Sequence, residues 1–156
     1  MAVIAWIGLG NMGGSMSVNL VKAGHDVRGF DLNAEAVAAA VAGGVKPAGS
    51  IAEAVDGADV VFSMLPKGEH ARAVYLGEDG VLAHADTRTL LVDSSTIDIA
   101  SAQALHDAAS AAGFRFVDAP VSGGMSGAKA ATLNAWMKFF SPPNVGESAS
   151  MISANT

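Results

Sequence analysis

Gly8, Gly10 and Gly13, spaced G-x-G-x-x-G, and the carboxylate of Asp31 are the residues whose types and spacing could do chemistry together. Gly8 allows a tight turn. Gly10 lets backbone approach a pyrophosphate with no Cβ in the way, and Gly13 lets a helix pack closely on a strand. The unpaired N–H groups and positive dipole end of that helix would face the phosphates. Asp31 follows Gly13 by 18 residues, where an acid can accept both hydroxyl hydrogen bonds of an adenosine ribose. The chemistry is the holding of a dinucleotide. Glycine-rich turns are common, so the motif carries weight only with a strand before it and a helix after it. Val3–Leu9 is an apolar run, and Met16, Leu20, Val21 and Ala23 mark an amphipathic segment directly beyond. Residues 26–31, D-V-R-G-F-D, read as a second strand ending in the acid.

The elements that must position these groups follow one rhythm. Strand-like runs at Val3–Leu9, Val27–Phe30, Val45–Pro47, Val60–Met64, Thr89–Asp93 and Phe114–Ala119 alternate with helical ones. The helices are expected at Met12–Ala23, Ala34–Ala42, Ser50–Val55, Glu69–Tyr75 and Ile99–Ala112. That alternation predicts an α/β fold, a doubly wound, mainly parallel Rossmann-type sheet with helices on both faces. Gly24, Gly43-Gly44, Gly57 and Gly113 each fall just past a helical segment, as C-terminal caps. Asp59–Ser63 and Leu90–Asp93 are nearly continuous apolar runs, as in strands buried on both faces. The 156 residues suit one domain of ordinary size. Residues 1–133 form that domain in this reading. Residues 134–156, with Pro142-Pro143 and no periodicity, read as a poorly ordered tail.

Composition narrows the partners. The chain has no Cys, which removes a disulfide framework, a thiolate nucleophile and a Cys-ligated metal. No spacing of His and acidic residues suggests another metal site, and His25, His84 and His106 read as solvated. Net charge of −6 without a basic cluster argues against nucleic acid. No run of about 18 strongly apolar residues predicts a membrane span, and the first strand leaves no room for a leader peptide. A cytoplasmic protein is the expectation.

Three polar clusters fall at strand ends, where doubly wound sheets bind ligands. They are Met64-Leu65-Pro66, Asp93-Ser94-Ser95-Thr96 and Asp118 to Gly124 (D-A-P-V-S-G-G). Thr96 or Asp98 could equally be the N-cap of the helix beginning at Ile99. Ser122-Gly123-Gly124 could be a flexible loop, or an anion-binding nest of freed backbone N–H groups. Together with G-L-G-N-M-G at Gly8–Gly13 and D-S-S-T-I-D at Asp93–Asp98, these segments resemble the β-hydroxyacid dehydrogenases, in particular the branch acting on 3-hydroxyisobutyrate.

The resemblance spans residues 1 to about 133, and it implies NAD as cofactor. It places Gly8, Leu9, Gly10, Asn11, Met12, Gly13 and Asp31 around the dinucleotide, with Leu65 and Pro66 lining it and Thr96 near the nicotinamide. Ser122, Gly123 and Gly124 would hold the carboxylate of a small 3-hydroxy acid, and a homo-oligomer is implied for the full-length family. Four residues after Pro66, where the family often has Asn, this chain has His70, which reads as a solvent-facing helix residue.

The family's proton-handling Lys, in a K-x-x-N-N context on a second, all-helical domain, has no counterpart here. None of Lys22, Lys46, Lys67, Lys129 and Lys138 is followed by Asn-Asn at that spacing. Lys129, near the S-G-G loop, is the remaining candidate, or a surface lysine in a helix's first turn. From Ala131 onward the family's G-T-L-T-x-M-V-G-G gives way to unrelated sequence, as in a frameshift, a truncated frame or a splice-like end. Two further readings stand beside an oxidoreductase: a non-catalytic dinucleotide-binding fragment, and an S-adenosylmethionine-dependent methyltransferase. The last does not account for the third glycine or the S-G-G loop.

Overall fold

Alternation of short apolar runs with Ala-rich segments produces layered α/β architecture in the computed structural model, which describes residues 1–130, 134–135 and 138–139. Strands β1 (Val3–Ile7), β2 (Asp26–Phe30), β3 (Lys46–Pro47), β4 (Val60–Ser63), β5 (Leu90–Asp93) and β6 (Arg115–Asp118) form a parallel sheet in the order β3-β2-β1-β4-β5-β6. This is the Rossmann order, so the direction in which strands are added across the sheet reverses between β1 and β4 and opens a crevice beyond their carboxyl ends. Ile4 pairs with Val27 on one side and Val60 on the other, which sets the register of both halves.

Because side chains alternate across a strand, β1 feeds two cores. Ala5 and Ile7 pack with Val61, Leu91, Phe116, Val55, Tyr75 and Leu105 on one face. That face is covered by α3 (Ile51–Val55), α4 (Gly68–Leu76) and α6 (Ile99–Ala111). Ile4 and Trp6 turn the other way, onto Val27 and Ala40 under α1 (Asn11–Lys22) and α2 (Ala34–Ala42). Trp6 also stacks on Phe62, with ring centroids 5.2 Å apart.

The expected strands and helices are all present, with ends moved by one or two residues. Strand β1 stops at Ile7 because Gly8 takes φ +97°. Gly24, Gly44, Gly57 and Gly113 also have positive φ just past their helices, as C-terminal turns require. Strand β4 departs from expectation. Val61 and Ser63 are buried while Val60 and Phe62 are half-buried, so it is not covered equally on both faces. Helix α6 begins at Ile99 as expected, with Ile99 itself 87% exposed and Ser101, Leu105 and Ala109 forming its buried stripe.

Elements absent from the sequence reading are short or glycine-rich. Helix α5 (Val81–His84) is a single turn, too short to display a period. Helix α7 (Gly124–Ala130) contains two poor helix formers, Gly124 and Gly127. It packs its buried Gly127 and Ala128 toward α1, where Asn19 Nδ2 donates to the Ala128 carbonyl at 2.6 Å. Strand β7 (Val121–Ser122) pairs antiparallel with β8 (Asn134–Ala135), and β9 (Lys138–Phe139) adds antiparallel to β6. The remainder of the expected tail lies outside the described residues. No helix among them is long and apolar enough to cross a membrane.

Candidate functional site

The turn from β1 into α1 is built by glycines with separate jobs. At Gly8, a Cβ would collide with the Met64 carbonyl on neighbouring β4. At Gly13, a Cβ would strike the Gly8 carbonyl, which already accepts the Trp6 Nε1–H at 2.9 Å. Helix, turn and strand are therefore in direct contact. Gly13→Ala is expected to cost about 1–3 kcal/mol of stability by overpacking, read from the urea midpoint. Gly10 is different: a Cβ there would meet nothing within 4 Å. It faces open space, as a backbone position approached by a ligand should.

The first turn of α1 is available for such a ligand. Helices α2, α3 and α6 are capped by their own chain, through Asn33, Ser50 and Asp98 respectively. Helix α1 has Gly10 as N-cap, no side-chain cap and no acid in its first turn. Its leading N–H groups and dipole end thus remain for an external anion.

Asp31 stands beside this turn, held rather than free. Its Oδ2 accepts the Leu9 N–H at 2.7 Å and its Oδ1 accepts the Asn33 N–H at 2.8 Å. Each oxygen keeps a further acceptor site, so the carboxylate is aimed and can still take one hydroxyl on each oxygen. The Leu9 amide is thereby spent inside the protein, and its side chain is buried beside Trp6.

A cleft of about 640 Å³ joins these parts at the crevice beyond β1 and β4. Gly8, Gly10, Asn11, Met12 and Gly13 form one side of it, and Asp31 stands on its rim with Leu32. Leu65 and Pro66 form the opposing wall. Residues missed by sequence reasoning complete it. Phe30, Ile51 and Val74 give it an apolar floor; His70, expected as a solvent-facing helix residue, is exposed on α4 and lines it as well. No Lys or Arg is among its described lining residues.

The other expected residues lie elsewhere. Thr96 is exposed beyond β5 and does not line the cleft, and the helix cap beside it is Asp98, whose Oδ2 accepts the Ser101 N–H at 2.9 Å. Hydrogen bonds from the Ser101 side chain and then from its amide, with the charge of the neighbouring Arg72, hold the Asp98 carboxyl below its ordinary range. Gly68 opens α4 against the same cap, where a Cβ would collide with Asp98 and Ser101.

Ser122, Gly123 and Gly124 are exposed where β7 gives way to α7, the glycines at φ +128° and +61°. Lys129 is in the last turn of α7, not the first. It lines a groove beside α1 and α2 with Asn19 and Lys22, and not the dinucleotide cleft. His25 and His106 are half-buried rather than solvated, and His25 Nδ1 accepts the Ala2 N–H at 3.2 Å.

Behind the cleft, Asp93 and Ser95 of the D-S-S-T-I-D segment join Ser63 and Tyr75, which no motif announced, in a buried polar cluster. Asp93 Oδ1 accepts from Ser63 Oγ at 2.8 Å, from Ser95 Oγ at 2.6 Å and from the Ser95 N–H at 3.1 Å. Burial raises the Asp93 carboxyl above its usual range, and the charge of Asp118 adds to this. Tyr75 OH meets Ser63 Oγ at 2.7 Å, and burial with the nearby Asp93 charge keeps the phenol protonated. Among the described residues no group of His and acidic side chains could hold a metal.

An uncapped helix terminus, an aimed carboxylate and an apolar slot fit the pyrophosphate, ribose and adenine portions of a dinucleotide. Comparison with known proteins agrees. The family described as the NAD binding domain of 6-phosphogluconate dehydrogenase matches residues 3–137. A 3-hydroxyisobutyrate dehydrogenase of Pseudomonas aeruginosa is 50% identical over 134 residues, 86% of this chain and 45% of that protein. An NAD-dependent L-serine dehydrogenase of the same organism is 50% identical over 133 residues, 85% of this chain and 45% of its own length. A solved Mycobacterium tuberculosis 3-hydroxyisobutyrate dehydrogenase with L-serine superposes at TM-score 0.83 and 50% identity, covering 88% of this chain and 46% of that one. The chain thus spans a little under half the length of these relatives.

Proposed function

The chain belongs to the family of the NAD binding domain of 6-phosphogluconate dehydrogenase, and we propose that it is the cofactor-holding part of a 3-hydroxyisobutyrate dehydrogenase. The reaction in this reading is oxidation of the C3 alcohol of 3-hydroxyisobutyrate to methylmalonate semialdehyde, a step of valine breakdown. NAD supplies the hydride acceptor; the protein holds and orients it. The first turn of α1, with Gly8, Gly10, Asn11, Met12 and Gly13, takes the pyrophosphate. Asp31 takes the ribose hydroxyls, and Leu65 and Pro66 wall the slot. Leu9 contributes by fixing Asp31 through its amide. Thr96 stands toward the nicotinamide, and Ser122, Gly123 and Gly124 toward the substrate carboxylate. Residues 1–133 make up the cofactor domain, within a homo-oligomer of the whole enzyme.

One observation carries this reading: a single cleft gathers the uncapped helix, the aimed Asp31 and the Met64–Pro66 turn. The relative acting on L-serine, at the same identity as the 3-hydroxyisobutyrate enzyme, supports a second reading in which the substrate is another small 3-hydroxy acid. Thermal unfolding with added nucleotides tests the cofactor assignment. NAD at about 100 times its Kd should add about 2.7 kcal/mol of stability and raise Tm. S-adenosylmethionine should leave Tm unchanged. A rise with S-adenosylmethionine alone would make the cleft that of a methyltransferase.

A further inference from the structure

We propose that Ser95 is a positioning residue of the dinucleotide cleft: its buried hydroxyl braces the Met64-Leu65-Pro66 turn from behind without touching the ligand. The inference rests on the cofactor reading above for its consequence, though not for its geometry. Leu65 and Pro66 line the cleft; Ser95 does not, and it is 1% exposed. The turn has few ways to be anchored. Pro66 has no N–H to give. The Met64 N–H continues the sheet ladder onto the Ile7 carbonyl at 2.9 Å. The Leu65 N–H goes to Ser95 Oγ at 2.8 Å. Without that bond, the Met64 N–H is the one backbone donor of the Met64-Leu65-Pro66 turn that stays paired before the chain enters α4.

Proton bookkeeping shows why Ser95 suits this task. A hydroxyl has one proton, and Ser95 places its own on Asp93 Oδ1, leaving its lone pairs for Leu65. Ser63 also donates to Asp93 Oδ1, so it must accept from Tyr75. Two directional chains therefore converge on one carboxylate: Tyr75 to Ser63 to Asp93, and Leu65 to Ser95 to Asp93. Ser63, Tyr75, Asp93 and Ser95 are all buried, so water cannot replace a lost link. The Asp93 carbonyl accepts the Ala119 N–H at 2.8 Å, which ties the same anchor to the loop preceding Ser122.

The test compares Ser95→Ala with Thr89→Val in the 156-residue chain. Thr89 is an equally buried hydroxyl that donates to the Ala58 carbonyl at 2.8 Å, at the opposite end of the strands. NAD affinity is read by calorimetry, and amide exchange at Leu65 and Val61 by NMR. Losing the brace should raise the NAD Kd roughly tenfold and speed Leu65 exchange by a similar factor, while Val61 stays protected. Thr89→Val should lower Tm yet leave both readings in place. Should Ser95→Ala fail to fold, Ser95→Cys fills the site with a far poorer acceptor and gives the same two readings. Unchanged Leu65 exchange, or equal loss of NAD affinity in Thr89→Val, overturns the proposal. If the unsubstituted chain binds no NAD, the cofactor reading fails, and Leu65 exchange alone decides the brace.

Discussion

A polypeptide of these 156 residues is expected to bind NAD weakly and to leave 3-hydroxyisobutyrate unoxidised at any useful rate. Removing a general acid/base costs about 10²–10⁴ in rate. In the family this chain resembles, a lysine in a K-x-x-N-N context does that work, and no lysine here has that context. The structure also weakens the one local substitute. Lys129 is in the last turn of α7 and lines the groove beside α1 and α2, which meets the cleft at Gly10 and Asn11, but it does not line the cleft itself. Ser122, Gly123 and Gly124 lie exposed, so a substrate carboxylate docked there would remain in water. Orientation of reactants is worth about 7–11 kcal/mol at its limit, and an open site gives up much of that. The measurement is NADH absorbance with saturating 3-hydroxyisobutyrate at alkaline pH. Turnover near one per second, abolished by Lys129→Ala, would make Lys129 catalytic and overturn the expectation.

How far the sequence reveals the site depends on how local each interaction is. The Gly8–Gly13 turn is legible because its three constraints sit within six residues and each demands the same residue type. Asp31 is legible because one helix and one strand fix its distance from that turn. The positive-φ glycines after α1, α2, α3 and α6 are legible for the same reason. Strand order is less local: right-handed crossovers fix the face each helix covers, but the step from β3 back across β2 and β1 to β4 is seen only in the structure. What stays hidden is made by juxtaposition across the sheet. Phe30, Ile51 and Val74 read as ordinary core residues until β2, α3 and α4 are brought to one crevice. Ser63, Tyr75 and Asp93 are 12 and 30 positions apart in two pairings, and only the register of β4 with β5 makes them a cluster.

Two local features run against the residue types that form them. Ile99 has the apolar character of a core position, yet it begins its helix on the side away from Leu105 and Ala109. A helix's first residue has no preceding turn, so periodicity fixes its face only weakly. Intrinsic propensity opposes a helix in glycine-rich α7. Contact with α1, including the Asn19 bond to the Ala128 carbonyl, outweighs that preference.

Cofactor choice should favour NAD over NADP by more than tenfold in Kd. The 2′-phosphate of NADP would stand against the Asp31 carboxylate, which cannot swing aside because Leu9 and Asn33 amides hold both of its oxygens. Two unit charges about 4 Å apart repel by about 4 kcal/mol at an effective dielectric of about 20. Solvent at the half-exposed rim screens part of this, and about 2 kcal/mol remains, or roughly 30-fold. No Lys or Arg among the described lining residues offsets it, and Leu32 and Asn33 beside the acid are uncharged. Asp31→Ala should narrow the gap chiefly by weakening NAD, since it removes the ribose acceptors and frees the Leu9 amide at once. Asp31→Asn separates those effects: it keeps an acceptor oxygen and removes the charge, so NADP should gain more than NAD loses. Calorimetric Kd values for both nucleotides with all three proteins provide the check. Equal affinities in the unsubstituted chain would mean that the Asp31 charge does not select the cofactor.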